Sequence, residues 1–181
     1  MEAVKKALKK DRLQLVGLHC HIGSQILDPR PFQLAAEIMM GLREEIRLKT
    51  GTLLGELDLG GGLGIRYTAE DSPPRVADLV KLLAGAVKNK AREYNTPPPR
   101  LLLEPGRSIV GEAGLTLYTV GTIKDVPGVR RYVSVDGGMS DNLRPALYGA
   151  RYEALPANRL QEAAKELVTV AGKACESGDI L

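Results

Sequence analysis

The chain has 181 residues, enough to bury a real core and to form one or two domains. Hydrophobic residues make up 44% and charged residues 26%, an ordinary globular balance that argues against a disordered chain. No apolar run reaches the roughly 18 to 20 residues that span a bilayer, and a formal charge of +3 is small, so neither a membrane nor a nucleic-acid partner is expected. The start, MEAVKKALKK, lacks the apolar segment of a secretory signal, and its lysines read as the wet face of a helix. Two cysteines far apart in sequence suit free thiols in a reducing compartment, so a cytoplasmic setting is expected.

In chain order, residues 2 to 11 read as a helix end, and LQLVGLHC (Leu13 to Cys20) is a mostly apolar run of strand length that ends in the polar loop HIGSQILDP. From Pro31 to about Lys49 the spacing predicts a helix with Leu34, Ile38, Leu42 and Ile46 on one face and Gly51 as its stop. GELDL (Gly55 to Leu59) is a short strand and GGGLGIRY a glycine-rich loop. Val76 to Tyr94 is a second amphipathic helix with Leu79, Leu82, Leu83 and Val87 inward. NTPPP breaks it, and RLLLE (Arg100 to Glu104) is a third strand leading into PGRSIVGEAG.

This strand, helix, strand, helix, strand order marks parallel βαβ units. After Gly114, LTLYTVGTIKDV and RRYVSVDGG read as strands joined at a Pro127-Gly128 turn, with a further strand in AKELVTVAGKA. The expected fold class is α/β: a partial (β/α) TIM-type barrel over 1–114, then a mainly β domain over 115–181. A closed eight-stranded barrel takes about 250 residues. The first part is therefore either an open sheet or a piece of a barrel whose beginning is absent from the chain.

Three unusual loops, HIGSQ, GGGLG and EPGRS, follow the three parallel strands at the end where such sheets bind ligands. They should face one site. Consecutive glycines at Gly60, Gly61 and Gly62 let backbone amides close around an anion, although both common nucleotide fingerprints fail here and a tight structural turn is an equal reading. Gly106 and Arg107 extend such a cradle, and Glu104 ends its strand as a carboxylate; a turn with a surface ion pair is the plainer alternative. Strand alternation puts His19 and His21 on one side and Cys20 on the other, which disfavours a zinc site of nitrogen and sulfur ligands or a Cys-His nucleophile pair and leaves a carboxylate-completed metal site open. A structural role fits His19, while His21, beside Ser24, suits a ring facing a ligand. In the second part, Arg144 and Tyr148 stand four apart in DGGMSDNLRPALYG, and CESGD sets Cys175 and Glu176 in a turn.

GLHCHIGSQ, LDLGGGLGIRY, EPGRSIV, SVDGGMSDNLRPALYG and CESGD, in this order, resemble the diaminopimelate decarboxylases, enzymes of lysine biosynthesis with the alanine-racemase-like fold. The resemblance covers essentially the whole chain. It implies pyridoxal 5'-phosphate as cofactor, no metal, and a homodimer with active sites at the subunit interface. By position, His21 resembles the histidine stacked on the pyridine ring. Ser24, Gly60, Gly61, Gly62, Pro105, Gly106 and Arg107 resemble the phosphate-binding turns, and Glu104 the acid paired with the ring nitrogen. Cys175 resembles the thiol that returns a proton after carbon dioxide leaves, offered from the partner subunit. Arg107, Arg144, Tyr148 and Glu176 match substrate-contacting positions, with guanidinium groups for the distal carboxylate of meso-2,6-diaminopimelate and an acid for its ammonium. The family's Schiff-base lysine lies on an early barrel strand that has no counterpart here. The chain is therefore expected to be an internal fragment that does not turn over alone. The alternatives are a non-catalytic relative that binds the cofactor or phosphate, a decarboxylase for another basic amino acid, and a metal-dependent barrel hydrolase that uses the histidines.

Overall fold

Proline and glycine bracket the first long helix of the computed structural model, which describes residues 1–181. After a short helix α1 (Glu2–Leu8) and strand β1 (Gly17–His19), helix α2 (Arg30–Thr50) begins with Pro31 in its first turn. There the missing amide of proline costs no hydrogen bond. The helix stops at Gly51, whose left-handed φ of 75° turns the chain out. Strand β2 (Glu56–Asp58), helix α3 (Val76–Glu93) and strand β3 (Arg100–Leu102) follow. The three strands form one parallel sheet in the order β1-β2-β3, with His19 opposite Asp58 and Asp58 opposite Leu102.

The strands are shorter than their apolar runs suggest. Leu13 and Val16 stand outside β1 and are exposed, whereas central β2 puts Leu57 in the core. Phe32, Ala36 and Met40 of α2 and Leu79, Leu83 and Val87 of α3 pack with Leu57 and Leu59. Each large side chain buried in this way contributes about 1.5–3 kcal/mol. The inward face of α3 is the expected one, but that of α2 is not: Leu34 and Ile38 are exposed, and Phe32, Ala36, Met40 and Arg43 take the buried stripe. A strict four-residue step advances about 400° around a 3.6-residue helix, so it drifts off one face within three steps. Of the expected stripe, Ile46 is buried and Leu42 half-buried.

Arg43 is a buried cation. Its Nε donates to the Leu54 carbonyl at 2.7 Å, and its terminal nitrogens donate to Thr96 Oγ1 at 3.3 Å and the Pro97 carbonyl at 3.1 Å. It thereby ties the entry to β2 to the entry to β3. Burial pulls its pKa below the usual guanidinium value.

The chain divides into two compact units, residues 1–66 with 71–114, and residues 67–70 with 115–181. The short stretch Tyr67–Glu70 of the loop after β2 thus groups with the C-terminal half: Tyr67 stacks edge-on against Tyr152 with ring centroids 5.1 Å apart, and the Ala69 amide donates to Glu153 Oε1 at 2.9 Å. The first unit closes with helix α4 (Gly106–Val110) and one 3-10 turn (Gly111–Ala113).

In the second unit, β4 (Val120–Val126) and β5 (Arg130–Val135) pair antiparallel. Their connection has Pro127 followed by Gly128 at φ 74°, the residue types a type II turn needs. Strand β6 (Thr169–Ala171) lies parallel to β5, and a short helix α5 (Arg144–Tyr148) intervenes in sequence. The expected strand at residues 115–119 does not form. Tyr118 occupies the space left by the missing side chain of Gly137, and Thr119 exchanges bonds with Asp136 outside the ladder. No helix is long and apolar enough to cross a membrane.

Candidate active site

The carboxyl ends of β1, β2 and β3 lie side by side because the strands are parallel and in register, and the three loops that leave them are laced together. The Ile26 amide donates to the Gly62 carbonyl at 2.9 Å, and the Gly64 amide donates to the Ile26 carbonyl at 3.0 Å. Gln25 then clamps Ile65 from both sides, its Nε2 donating to the carbonyl at 2.6 Å and its Oε1 accepting from the amide at 3.2 Å. The Glu104 amide donates to the Gly60 carbonyl at 2.8 Å, joining the third loop to the second.

The glycines are required by this lacing. A Cβ at Gly60 would overlap the Cys20 carbonyl, one at Gly61 the Glu104 carbonyl, and one at Gly62 the Gly23 carbonyl. Gly60 and Gly62 also adopt left-handed φ values of 68° and 98°. Their amides do less for a ligand than the sequence suggests. Gly60 N–H donates to Asp58 Oδ1 at 2.9 Å, Gly61 N–H to His21 Nδ1 at 3.3 Å, and Gly106 N–H to the Glu104 carbonyl at 2.8 Å. Of the three consecutive glycines, Gly62 alone keeps its amide for an incoming acceptor.

His21 is exposed, and because its Nδ1 accepts from Gly61, the neutral ring carries its proton on Nε2. Arg107 donates to Ser24 Oγ at 2.8 Å. With its oxygen lone pair engaged by a guanidinium, the Ser24 hydroxyl has its own proton to give to an anion. Cys20 faces the other way, as alternation requires, and packs against the apolar core. Burial, reinforced by the nearby Asp58 charge, pushes its thiol above the ordinary value of 9.0. Its thiolate is disfavoured there.

His19 does not have the structural place expected of it. It is exposed, and its Nε2 lies 3.5 Å from Glu104 Oε2. With Asp58 it completes a group whose ligand-type atoms all lie within 4.8 Å of one another. Sequence reading misses this because alternation within one strand says nothing of which residue stands opposite on the next.

The remaining candidate residues belong to the second unit. The Arg144 guanidinium lies over the Tyr148 ring, 5.6 Å from its centroid, so the two form a pair on α5. Cys175 is a free, exposed thiol next to exposed Glu176. A cleft of about 510 Å³ is lined by Pro145, Ala146 and Gly149 on one side and Gly178 and Ile180 on the other, so α5 and the Cys175 turn border one cavity. That turn is held by Asp179, a 3% exposed carboxylate whose Oδ1 accepts from the Met139 amide at 2.5 Å and whose Oδ2 accepts from the Ala174 amide at 2.7 Å. Side chains at Gly138 and Gly172 would strike it. A lone acid at the end of CESGD carries no sign of this role in the sequence.

Three parallel strands joined by two long helices make the first unit a run of β/α units. A family model described as the pyridoxal binding domain of pyridoxal-dependent decarboxylases matches residues 1–111. The chain belongs to this family. It is 52% identical over 179 residues to diaminopimelate decarboxylase of Bacillus subtilis (strain 168), which takes in 99% of this chain and 41% of that protein. It is 47% identical over 189 residues to the diaminopimelate decarboxylase of Mycobacterium tuberculosis (strain ATCC 25618 / H37Rv), covering 42% of it. The crystal structure of diaminopimelate decarboxylase from M. jannaschii in co-complex with L-lysine matches with a TM-score of 0.86 and 37% identity, over 99% of this chain and 40% of that one. The chain thus spans about 41% of the length of the curated relatives it matches.

The residues present fit the cofactor of the family, pyridoxal phosphate. A hydroxyl and a guanidinium already in contact, with the Gly62 amide beside them, form a donor-only set for a phosphate; an imidazole plane and a carboxylate at the adjoining strand ends suit a protonated pyridine ring.

Proposed function

We propose that this chain is a segment of a diaminopimelate decarboxylase, the enzyme that converts meso-2,6-diaminopimelate to L-lysine and carbon dioxide, and that its first unit holds pyridoxal 5'-phosphate. The observation that carries the proposal is the lacing of the three loops, which sets Ser24 against Arg107 and His21 against Gly61 at the ends of parallel strands. The bound cofactor supplies an electron sink for the pair of electrons left when carbon dioxide departs.

The chain's own residues bind, orient and move protons. Ser24, Arg107 and the Gly62 amide would hold the phosphate, and His21 would face the ring. Glu104 keeps the ring nitrogen protonated, because a carboxylate beside it favours the charged form. Arg144 and Tyr148 take the distal carboxylate of the substrate, and Glu176 its ammonium. The bond from the substrate's α-carbon to its carboxylate breaks, carbon dioxide leaves, and the Cys175 thiol gives its proton to the same carbon; solvent then restores the thiol. In a homodimer Cys175 and Glu176 serve the partner's site. Two free cysteines accord with a cytoplasmic setting.

A chimera tests the proposal: this segment replaces its counterpart in the Bacillus subtilis relative, and carbon dioxide release is measured. Release from meso-diaminopimelate and none from ornithine is the expected result, with Cys175→Ala slowing it at least about 100-fold. A folded, cofactor-loaded chimera that releases none would refute it.

A further inference from the structure

His19 and Asp58 are partners across β1 and β2, and Asp58 stands opposite Leu102 on β3. Residues two apart along an extended chain share a face, so Glu104, two beyond Leu102, arrives on the face of His19 and Asp58. Two carboxylates this close repel each other, and each needs a partner. Asp58 has one in the Gly60 amide, at 2.9 Å from its Oδ1. Glu104 meets the His19 ring, with Nε2 at 3.5 Å from Oε2. A carboxylate has two oxygens. One turned toward His19 leaves the other to accept from a ligand's N–H.

We propose that His19 is a positioning residue for Glu104, holding one carboxylate oxygen so that the other meets the ring nitrogen of the cofactor. This rests on the pairing of Glu104 with that nitrogen. The His19 and Glu104 side chains are 54% and 58% exposed, so solvent screens the contact and its effect on binding is a small multiple.

The test measures noncovalent binding to the chain by equilibrium dialysis, with pyridoxal phosphate and with its 1-deaza analogue, in which carbon replaces the ring nitrogen. Glu104→Gln weakens pyridoxal phosphate about tenfold and leaves the analogue unchanged, since only the former presents an N–H to a carboxylate. His19→Ala weakens pyridoxal phosphate about threefold, again sparing the analogue. His19→Gln, whose amide still donates, recovers most of that loss. In the Glu104→Gln background His19→Ala has no further effect. Equal weakening of both ligands by His19→Ala means a merely structural role and overturns the proposal. A Glu104→Gln chain that binds both ligands as before overturns the pairing of Glu104 instead. Absence of saturable binding to the unsubstituted chain overturns both. Zinc bound near one equivalent, lost in His19→Ala and not displaced by pyridoxal phosphate, assigns the cluster to a metal and overturns the proposal.

Discussion

In the first unit the buried side chains are apolar and numerous enough to form a continuous layer between α2, α3 and the sheet, with Met40, Leu57, Leu59 and Leu83 at 1% exposure or less. In the second, Val135 is the sole buried apolar side chain, and the other buried side chain is the Asp179 carboxylate. Polar ties take the place of a core there: Asp179 to the Met139 and Ala174 amides, Asp136 to Thr119, and Arg131 to Asp125 and Glu166. Burial of apolar area is non-directional and tolerant of small shifts, whereas a carboxylate tie depends on geometry and on charge.

Leu57→Ala should have the largest effect. It empties the centre of β2, and a cost of about 3 kcal/mol is expected in urea unfolding. Amide exchange should accelerate throughout α2, α3 and β1 to β3 and stay unchanged in β4 and β5. Acceleration in both units alike would mean that one core stabilises the whole chain and would dissolve the contrast. Asp179→Asn comes next, at about 2 kcal/mol, since its NH2 faces one of the two amide donors, which then lacks an acceptor. Its exchange changes should centre on Met139 and Ala174, with α3 untouched. Unaltered protection at both amides would show that the second unit does not depend on this tie.

The smallest effect separates the two thiols. Iodoacetamide at pH 8 should modify exposed Cys175 at least about tenfold faster than half-buried Cys20, whose thiolate burial disfavours. Because the folded pKa of Cys20 lies above its unfolded value, its neutral thiol contributes stability that is complete below pH 9.0 and is lost as pH rises through the folded value. Cys20→Ala should remove that alkaline loss. A mass map showing Cys20 alkylated first would count against its place in the core.

The order of elements was legible because proline, glycine and apolar spacing act locally. Pro31 and Gly51 bound α2, and Pro127 and Gly128 turn β4 into β5. What depends on neighbours was not legible. Leu34 and Ile38 look like core residues by spacing, yet the sheet meets the stripe of Phe32, Ala36 and Met40. HIGSQ, GGGLG and EPGRS could be placed at one end of the sheet from strand order alone, but not the use of the Gly60, Gly61 and Gly106 amides by the protein itself. The neighbour of His19 is hidden for a related reason: register across strands sets it, and register is a property of the assembled sheet. Asp179 ties its own turn, at Ala174, to a loop 40 residues away at Met139, which no local pattern connects.

The glycines at 60, 61 and 62 have a consequence for how this site can change. Two neighbouring loops press carbonyls against them, the loop after β1 at Gly60 and Gly62 and the loop after β3 at Gly61, so a side chain added at any of the three displaces a neighbour. A methyl group added at Gly62 would be felt at Ser24 and, through it, at Arg107.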